Sequence, residues 1–254
     1  MILKRTFSTS LLLLIIGTAS ILHAQTLQVA VAANLQSVIK VLQADFKKKS
    51  GIEIQPIIGS SGNLVTQIKN GAPFDVFLSA DIALPESLYK AGFSMDEPVV
   101  YAWGNLIICS NQNINLKHWQ GLLLTDAVKK IAIANPAIAP YGKAAEEAII
   151  KLGIMNSVKG KTVYGESIAQ VNTYITTGVV TVGFTSQSFI KEADKNTKLY
   201  WMAVDPNLYT AIQQGMVILK HGKENNFDKA QKFYKYILSS PAKAIFTKYG
   251  YHVQ

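Results

Sequence analysis

The sequence predicts an α/β protein of two lobes, each a mostly parallel sheet flanked by helices, with two crossing strands as a hinge. Three observations predict it. From residue 26 onward, apolar β-runs alternate with amphipathic helical patterns. The alternation breaks once, in the long extended run from Val99 to Cys109, and then resumes. A second extended run, Met216 to Leu219, offers a return crossing. Strands alternating with helices imply parallel pairing with helices on both faces. The expected division is a leader over 1–24, lobe one over 25–99 with 215–254, and lobe two over 100–214.

The elements follow in order. Thr26 to Ala33 is a β-run, with Asn34 where a helix N-cap belongs. Leu35, Val38, Ile39, Leu42 and Phe46 then mark one face of a helix that Gly51 stops. Ile52 to Ile58 is the next strand. The loop Gly59-Ser60-Ser61-Gly62-Asn63 leads into a helix ending at Gly71. Asp75 to Leu78 is a third strand, and Pro85 opens a third helix. In the second lobe, Ile131 to Ala134 is a strand and Asn135 to Gly142 a loop. A helix with Ala144, Ala145, Ala148 and Ile149 inward then runs to Gly153. Ser167 caps a helix ended by Gly178, and Val179 to Phe184 is a strand. The chain closes with two helices, the last opened by Pro241 and stopped by Gly250.

Residues 1–24 read as a secretory signal. Lys4 and Arg5 form its basic end, Leu11 to Leu22 its apolar centre, and His23-Ala24 its cleavage point. The apolar run falls short of the roughly 20 residues that span a bilayer. The expected location is therefore the periplasm.

Composition excludes several chemistries. The single cysteine, Cys109, leaves no disulfide framework and no cysteine-built zinc site. The histidines are scattered, with no i, i+4 pair and no nearby acidic partner expected, so no metal site is expected. No Gly-x-Ser-x-Gly elbow, Walker loop or dinucleotide fingerprint follows any strand. The net charge of +9 comes from 25 Lys+Arg against 16 Asp+Glu, and Arg5 is the only arginine. Without the leader, lysine carries all of it. Bidentate clamping of carboxylates, phosphates and guanine edges is arginine work, so nucleic acid is a poor partner.

What remains is a set of small polar loops, each following a strand and opening a helix: Ala33-Asn34, the Gly-Ser-Ser-Gly loop, Pro140-Tyr141-Gly142 and Glu166-Ser167-Ile168. Strand carboxyl ends face the crevice of an open α/β sheet. Helix-start N–H groups with nearby hydroxyls bind anions without formal charge. Ordinary N-capping explains any one loop; two from each lobe suggest a small anion between lobes.

The chain also resembles a known family. The stretches are Val29 to Leu35, Gly59 to Leu64 with Gln67-Ile68, Asn70 to Asp81 (NGAPFDVFLSAD), Asn135-Pro136 with Pro140-Tyr141-Gly142, and Ile245-Phe246 to Tyr249-Gly250-Tyr251. Together they resemble the periplasmic molybdate-binding proteins, soluble receptors of molybdate ABC transporters with the type II periplasmic-binding-protein fold. The resemblance implies a monomeric, non-enzymatic receptor that needs no cofactor. It would capture molybdate or tungstate and deliver it to an inner-membrane ABC permease. It places the oxyanion on Asn34 and Ser61 of lobe one and on Tyr141, Ile168 and Ser186 of lobe two. Ile168 would act through its main-chain N–H. Ser186 stands where many family members carry Tyr, so Tyr141 is expected to supply the phenolic donor and Ser186 a lesser contact. A receptor for sulfate or phosphate is the alternative within this class. An enzyme on the same two-lobe fold, with Cys109 or a serine as nucleophile, is the alternative outside it.

Overall fold

The computed structural model describes residues 26–94, 96–192 and 197–254. The expected leader lies outside the described residues. Lobe one opens with β1 (Leu27–Ala32), a 3-10 turn (Ala33–Leu35), α1 (Gln36–Ser50), β2 (Ile54–Gly59) and α2 (Ser61–Lys69). It continues through β3 (Val76–Leu78), α3 (Ala83–Lys90) and β4 (Val99–Gly104). The second lobe holds β5 (Leu106–Ser110), α4 (Trp119–Leu122), β6 (Ile131–Ala134), α5 (Pro140–Lys151) and α6 (Met155–Val158). It then adds β7 (Thr162–Gly165), α7 (Ile168–Thr176), β8 (Val182–Ser186), α8 (Phe189–Glu192) and β9 (Tyr200–Ala203). The chain returns through β10 (Ile212–Ile218) to α9 (Lys220–Asn225), α10 (Phe227–Ile237) and α11 (Ser240–Lys248).

The two sheets share one plan. The first has strand order β2-β1-β3-β10-β4 and the second β7-β6-β8-β5-β9. In each, three parallel strands meet two more in antiparallel register: β10 against β3 and β4, and β5 against β8 and β9. Both faces of the first sheet are covered, as its near-continuous apolar strands require. Val29, Val31, Val76, Leu78 and Met216 face one core layer with Leu42, Phe46 and Phe233, while Ala30, Phe77 and Val217 face Leu64, Ile68 and Leu88 on the other. The second lobe has its own core around Ile107, Ile133, Ala145, Val171 and Phe184.

The expected helix stops are real. Gly51 ends α1 at φ 72° and its N–H bonds the Lys47 carbonyl at 2.9 Å, the left-handed geometry that glycine adopts without cost. Other local expectations shift. Asn34 is not an N-cap; it lies inside the 3-10 turn, with its side chain pulled toward distant residues. α3 begins at Ala83 because the Asp81 carboxylate accepts from Leu84 N–H at 3.0 Å and opens the helix ahead of Pro85. The strand expected over 179–184 occupies 182–186: Val180 N–H still bonds the Tyr174 carbonyl of α7 at 3.4 Å, and pairing with β5 carries the strand on to Ser186, opposite Leu106. β4 and β10 both pair inside the first sheet, with Gly104 opposite Ile212. The chain therefore changes sheets at Asn105 and after β9, so the expected 99/100 and 214/215 boundaries fall at or within these two strands.

Candidate functional site

Helix starts from both lobes border one small cavity, where Asn34, Ser60, Ser61, Tyr141 and Ile168 meet around Ala80. No charged side chain lines it. A wider opening nearby is lined by Asp81, Lys143 and Glu147, which suits an uncomplexed dianion less well.

The lobe-one half is built by the long motif after the Gly-Ser-Ser-Gly loop. β3 delivers Ser79-Ala80-Asp81 to the carboxyl edge of the sheet. Ala80 N–H donates to Ser61 Oγ at 3.0 Å, so Ser61, in the first turn of α2, keeps its own proton free to donate. Ser60 is the N-cap, yet its hydroxyl makes no capping bond; the Oγ is buried and unpartnered. The motif's remaining polar residues are structural. Asp81 opens α3, while Asp75, fully buried, ties β1 to the C-terminal helices. Asp75 also corrects the expectation that no histidine has an acidic partner, since His221 Nδ1 lies 2.9 Å from its Oδ1. The two are 146 residues apart, beyond the reach of a local pattern.

Asn34 is the residue most altered by the tertiary structure. Its Nδ2 donates to Gln214 Oε1 and to Tyr251 Oη, both at 2.9 Å. Its main-chain carbonyl accepts from Tyr251 Oη at 2.7 Å and from Ser188 Oγ at 2.8 Å. The Oδ1 is buried without a donor. With both amide hydrogens engaged, the group Asn34 offers the cavity in this arrangement is the main-chain N–H of its turn.

The lobe-two half comes from two helix N-termini. Ala139 caps α5, Pro140 occupies its first turn and Tyr141 follows, leaving main-chain N–H groups directed out of the helix end. Gly142 lets this end press onto β6, since a Cβ there would stand 2.0 Å from the Ala134 carbonyl oxygen. Ser167 caps α7 by accepting from Gln170 N–H at 3.4 Å, so Ile168 presents its first free N–H. Ser186 is buried but does not line the cavity. It shares a 2.8 Å hydrogen bond with Ser188, which in turn holds the Asn34 carbonyl. The Tyr141 ring crosses toward lobe one, and its buried hydroxyl lies beside Gly104 and the Gln214 side-chain amide. Burial, with Tyr251 and Tyr101 nearby, holds this phenol well above its ordinary pKa.

Four of the five expected residues thus border one cavity, and Ser186 stands one hydroxyl away. Sequence reasoning missed Ser60, although it lies inside the quoted loop. It also missed Gln214, Tyr251 and Ser188, which reach Asn34 from 180, 217 and 154 residues away. Cys109 offers no nucleophile: it is fully buried in β5, and burial pushes its thiol up to about 12. Among the described residues, no group of histidine, cysteine and acidic side chains could hold a metal ion.

A two-lobe α/β fold with donors from both lobes at the cleft defines a solute-binding protein. The comparisons agree: the chain belongs to the bacterial extracellular solute-binding protein family, matched over residues 27–252. It is 36% identical to the molybdate-binding protein ModA of Azotobacter vinelandii over 98% of this chain and 99% of that one. To the molybdate-binding protein ModA of Rhodobacter capsulatus it is 38% identical, over 94% and 93%. The solved Azotobacter vinelandii periplasmic molybdate-binding protein superposes with a TM-score of 0.83 at 30% identity, covering 90% of this chain and 99% of that chain.

Proposed function

We propose that the protein captures molybdate, and tungstate with it, in the periplasm and delivers it as a monomer to the inner-membrane permease of an ABC transporter. One observation carries this reading: helix N-termini and serine hydroxyls of two lobes converge on a small cavity with no charged side chain. Such a site offers hydrogen-bond donors to an anion and no carboxylate to accept from one. It suits a fully ionised dianion and disfavours hydrogen phosphate, whose proton needs an acceptor. The oxygens are held by Ser61 Oγ, by the main-chain N–H groups at Asn34, Tyr141 and Ile168, and by Ser60 Oγ, with Ser186 acting through Ser188. Each charge-assisted bond contributes about 1.5–3 kcal/mol. Selection against sulfate follows from size, since a smaller tetrahedron leaves part of a donor set divided between two lobes at long range.

Because the donors are divided, binding favours the state in which the lobes meet. Gly62 N–H of lobe one bonds the Ile138 carbonyl of lobe two at 2.9 Å in that state. The test is calorimetry of oxyanion-free protein with molybdate, tungstate, sulfate and phosphate, alongside small-angle scattering. The expected result is tight binding of the first two anions only, with a smaller radius of gyration when either is bound. Preferred binding of sulfate or phosphate would overturn the assignment.

Affinity should also be flat with pH. Hydroxyls and main-chain amides do not titrate near neutrality, and the raised Tyr141 phenol keeps its proton throughout the range. Calorimetry from about pH 6 to 9 should give a single affinity. A slope approaching one proton would show that a titrating side chain contacts the ligand.

A further inference from the structure

The Tyr141 side chain does something that the anion site does not explain. Its main chain belongs to the α5 N-terminus of lobe two, whereas its hydroxyl reaches the hinge-side strands of lobe one. There Gly104, the last residue of β4, leaves a slot. A Cβ on Gly104 would stand 2.0 Å from Tyr141 Oη, 2.9 Å from its Cζ and 2.8 Å from Gln214 Nε2. The slot is framed at a β-bulge, where the β10–β4 register shifts between Gln214 and Gly215. Bulges re-aim side chains, and Gln214 here is fully buried, with its Oε1 on Asn34 Nδ2 at 2.9 Å. The phenol tip, the missing side chain of Gly104 and the Asn34 amide therefore meet at one buried point between the lobes.

We propose that Tyr141 is a closure key: its phenol enters the Gly104 slot only when the lobes meet, and through Gln214 its seating is coupled to the orientation of Asn34. Tyr141 is in this respect a positioning residue, acting through the lobe arrangement and Gln214, while its main-chain N–H serves the ligand. The closed state is held on one side of the cleft by the Gly62–Ile138 bond and on the hinge side by the seated phenol. The inference rests on the reading of the protein as a molybdate receptor that closes on its ligand.

The test uses the mature protein, molybdate and three measurements. Gly104→Ala should fill the slot, weakening molybdate about tenfold, as expected if the competent closed state falls to roughly a tenth of its population. The loss should appear as faster dissociation. The radius of gyration at saturation should remain larger than that of the molybdate-bound wild type. Adding Tyr141→Phe to Gly104→Ala should restore part of the affinity, because removing Oη takes away the 2.0 Å contact and leaves only Gln214 Nε2 at 2.8 Å and the ring Cζ at 2.9 Å. A double variant no better than Gly104→Ala alone would overturn the key, as would a Gly104→Ala protein that closes and binds like wild type. A measurement that leaves the slot intact places 3-fluorotyrosine at position 141. Its fluorine resonance should be open to a dissolved paramagnetic agent without molybdate and protected with it. Equal protection in both states would show that the phenol never leaves the slot and would overturn the proposal. Wild-type protein that neither binds nor closes on molybdate would instead remove the functional reading, and the inference with it.

Discussion

Ser61→Ala should weaken molybdate binding by about 1.5–3 kcal/mol, roughly 10- to 160-fold, through loss of one hydroxyl donor to a buried dianion. The geometry makes this hydroxyl a committed donor. Its oxygen already accepts from Ala80 N–H at 3.0 Å, so its proton has the ligand as its outlet. The same bond adds a second effect that the loop sequence alone does not reveal. Ala80 is buried, and without Ser61 Oγ its N–H loses a partner, which costs about 1–2 kcal/mol of stability before any ligand is added. Calorimetry should report the affinity loss and urea unfolding of ligand-free protein the stability loss. Wild-type affinity in a folded Ser61→Ala protein would reduce the Gly-Ser-Ser-Gly loop to a helix start and move the anion elsewhere. Because Ser60 Oγ is buried and unpartnered beside it, Ser60→Ala should lower affinity less and leave stability unchanged or slightly raised.

Most of the architecture was legible because its signals are local. Helix stops follow from glycine geometry within one turn, and Gly51, Gly71, Gly153, Gly178 and Gly250 all adopt positive φ as a stop requires. The strand-loop-helix rhythm placed Ser61, Tyr141 and Ile168 in loops that open helices. The helices begin at Ser61, Pro140 and Ile168, inside the loops expected over 59–63 and 135–142 in the first two cases, and strand carboxyl ends bring them together. Asn34 shows where such reasoning ends. Asparagine before a helical pattern reads as a cap, but Gln214 and Tyr251 compete for its amide, and neither is visible within a local window. The Tyr141 phenol is a second case. A tyrosine on a loop facing a cleft suggests a donor, whereas its path to Gly104 depends on the packing of two lobes. Local chemistry gave the rim of the site; the contacts behind it are tertiary.

Asp75→Ala should be strongly destabilising, at about 3–5 kcal/mol, the scale for removing a buried acceptor from several hydrogen bonds at once. The residue is fully buried and accepts from three directions. Gln28 N–H donates to Oδ2 at 2.7 Å, while Asn226 Nδ2 at 3.1 Å and His221 Nδ1 at 2.9 Å meet Oδ1. These partners belong to β1, to the residue preceding α10, and to α9, so one carboxylate fastens the returning chain to the first sheet. The backbone reinforces it: Asp75 N–H bonds the Gln28 carbonyl at 2.8 Å, and Leu219 N–H bonds the Asp75 carbonyl at 2.9 Å. Alanine would keep these backbone bonds and strand three donors, of which only the partly exposed His221 can turn to water. At about 2–4 °C per kcal/mol for a chain of this size, melting should fall by roughly 6–20 °C. Asp75→Asn should fall less, since its amide oxygen still accepts. Asp75 does not line the cavity, so the folded fraction of either variant should bind molybdate within about threefold of wild type. Collapse of affinity with unchanged melting would mean that Asp75 acts on the site, and the structural role assigned to the Phe-Asp-Val-Phe-Leu run would be wrong.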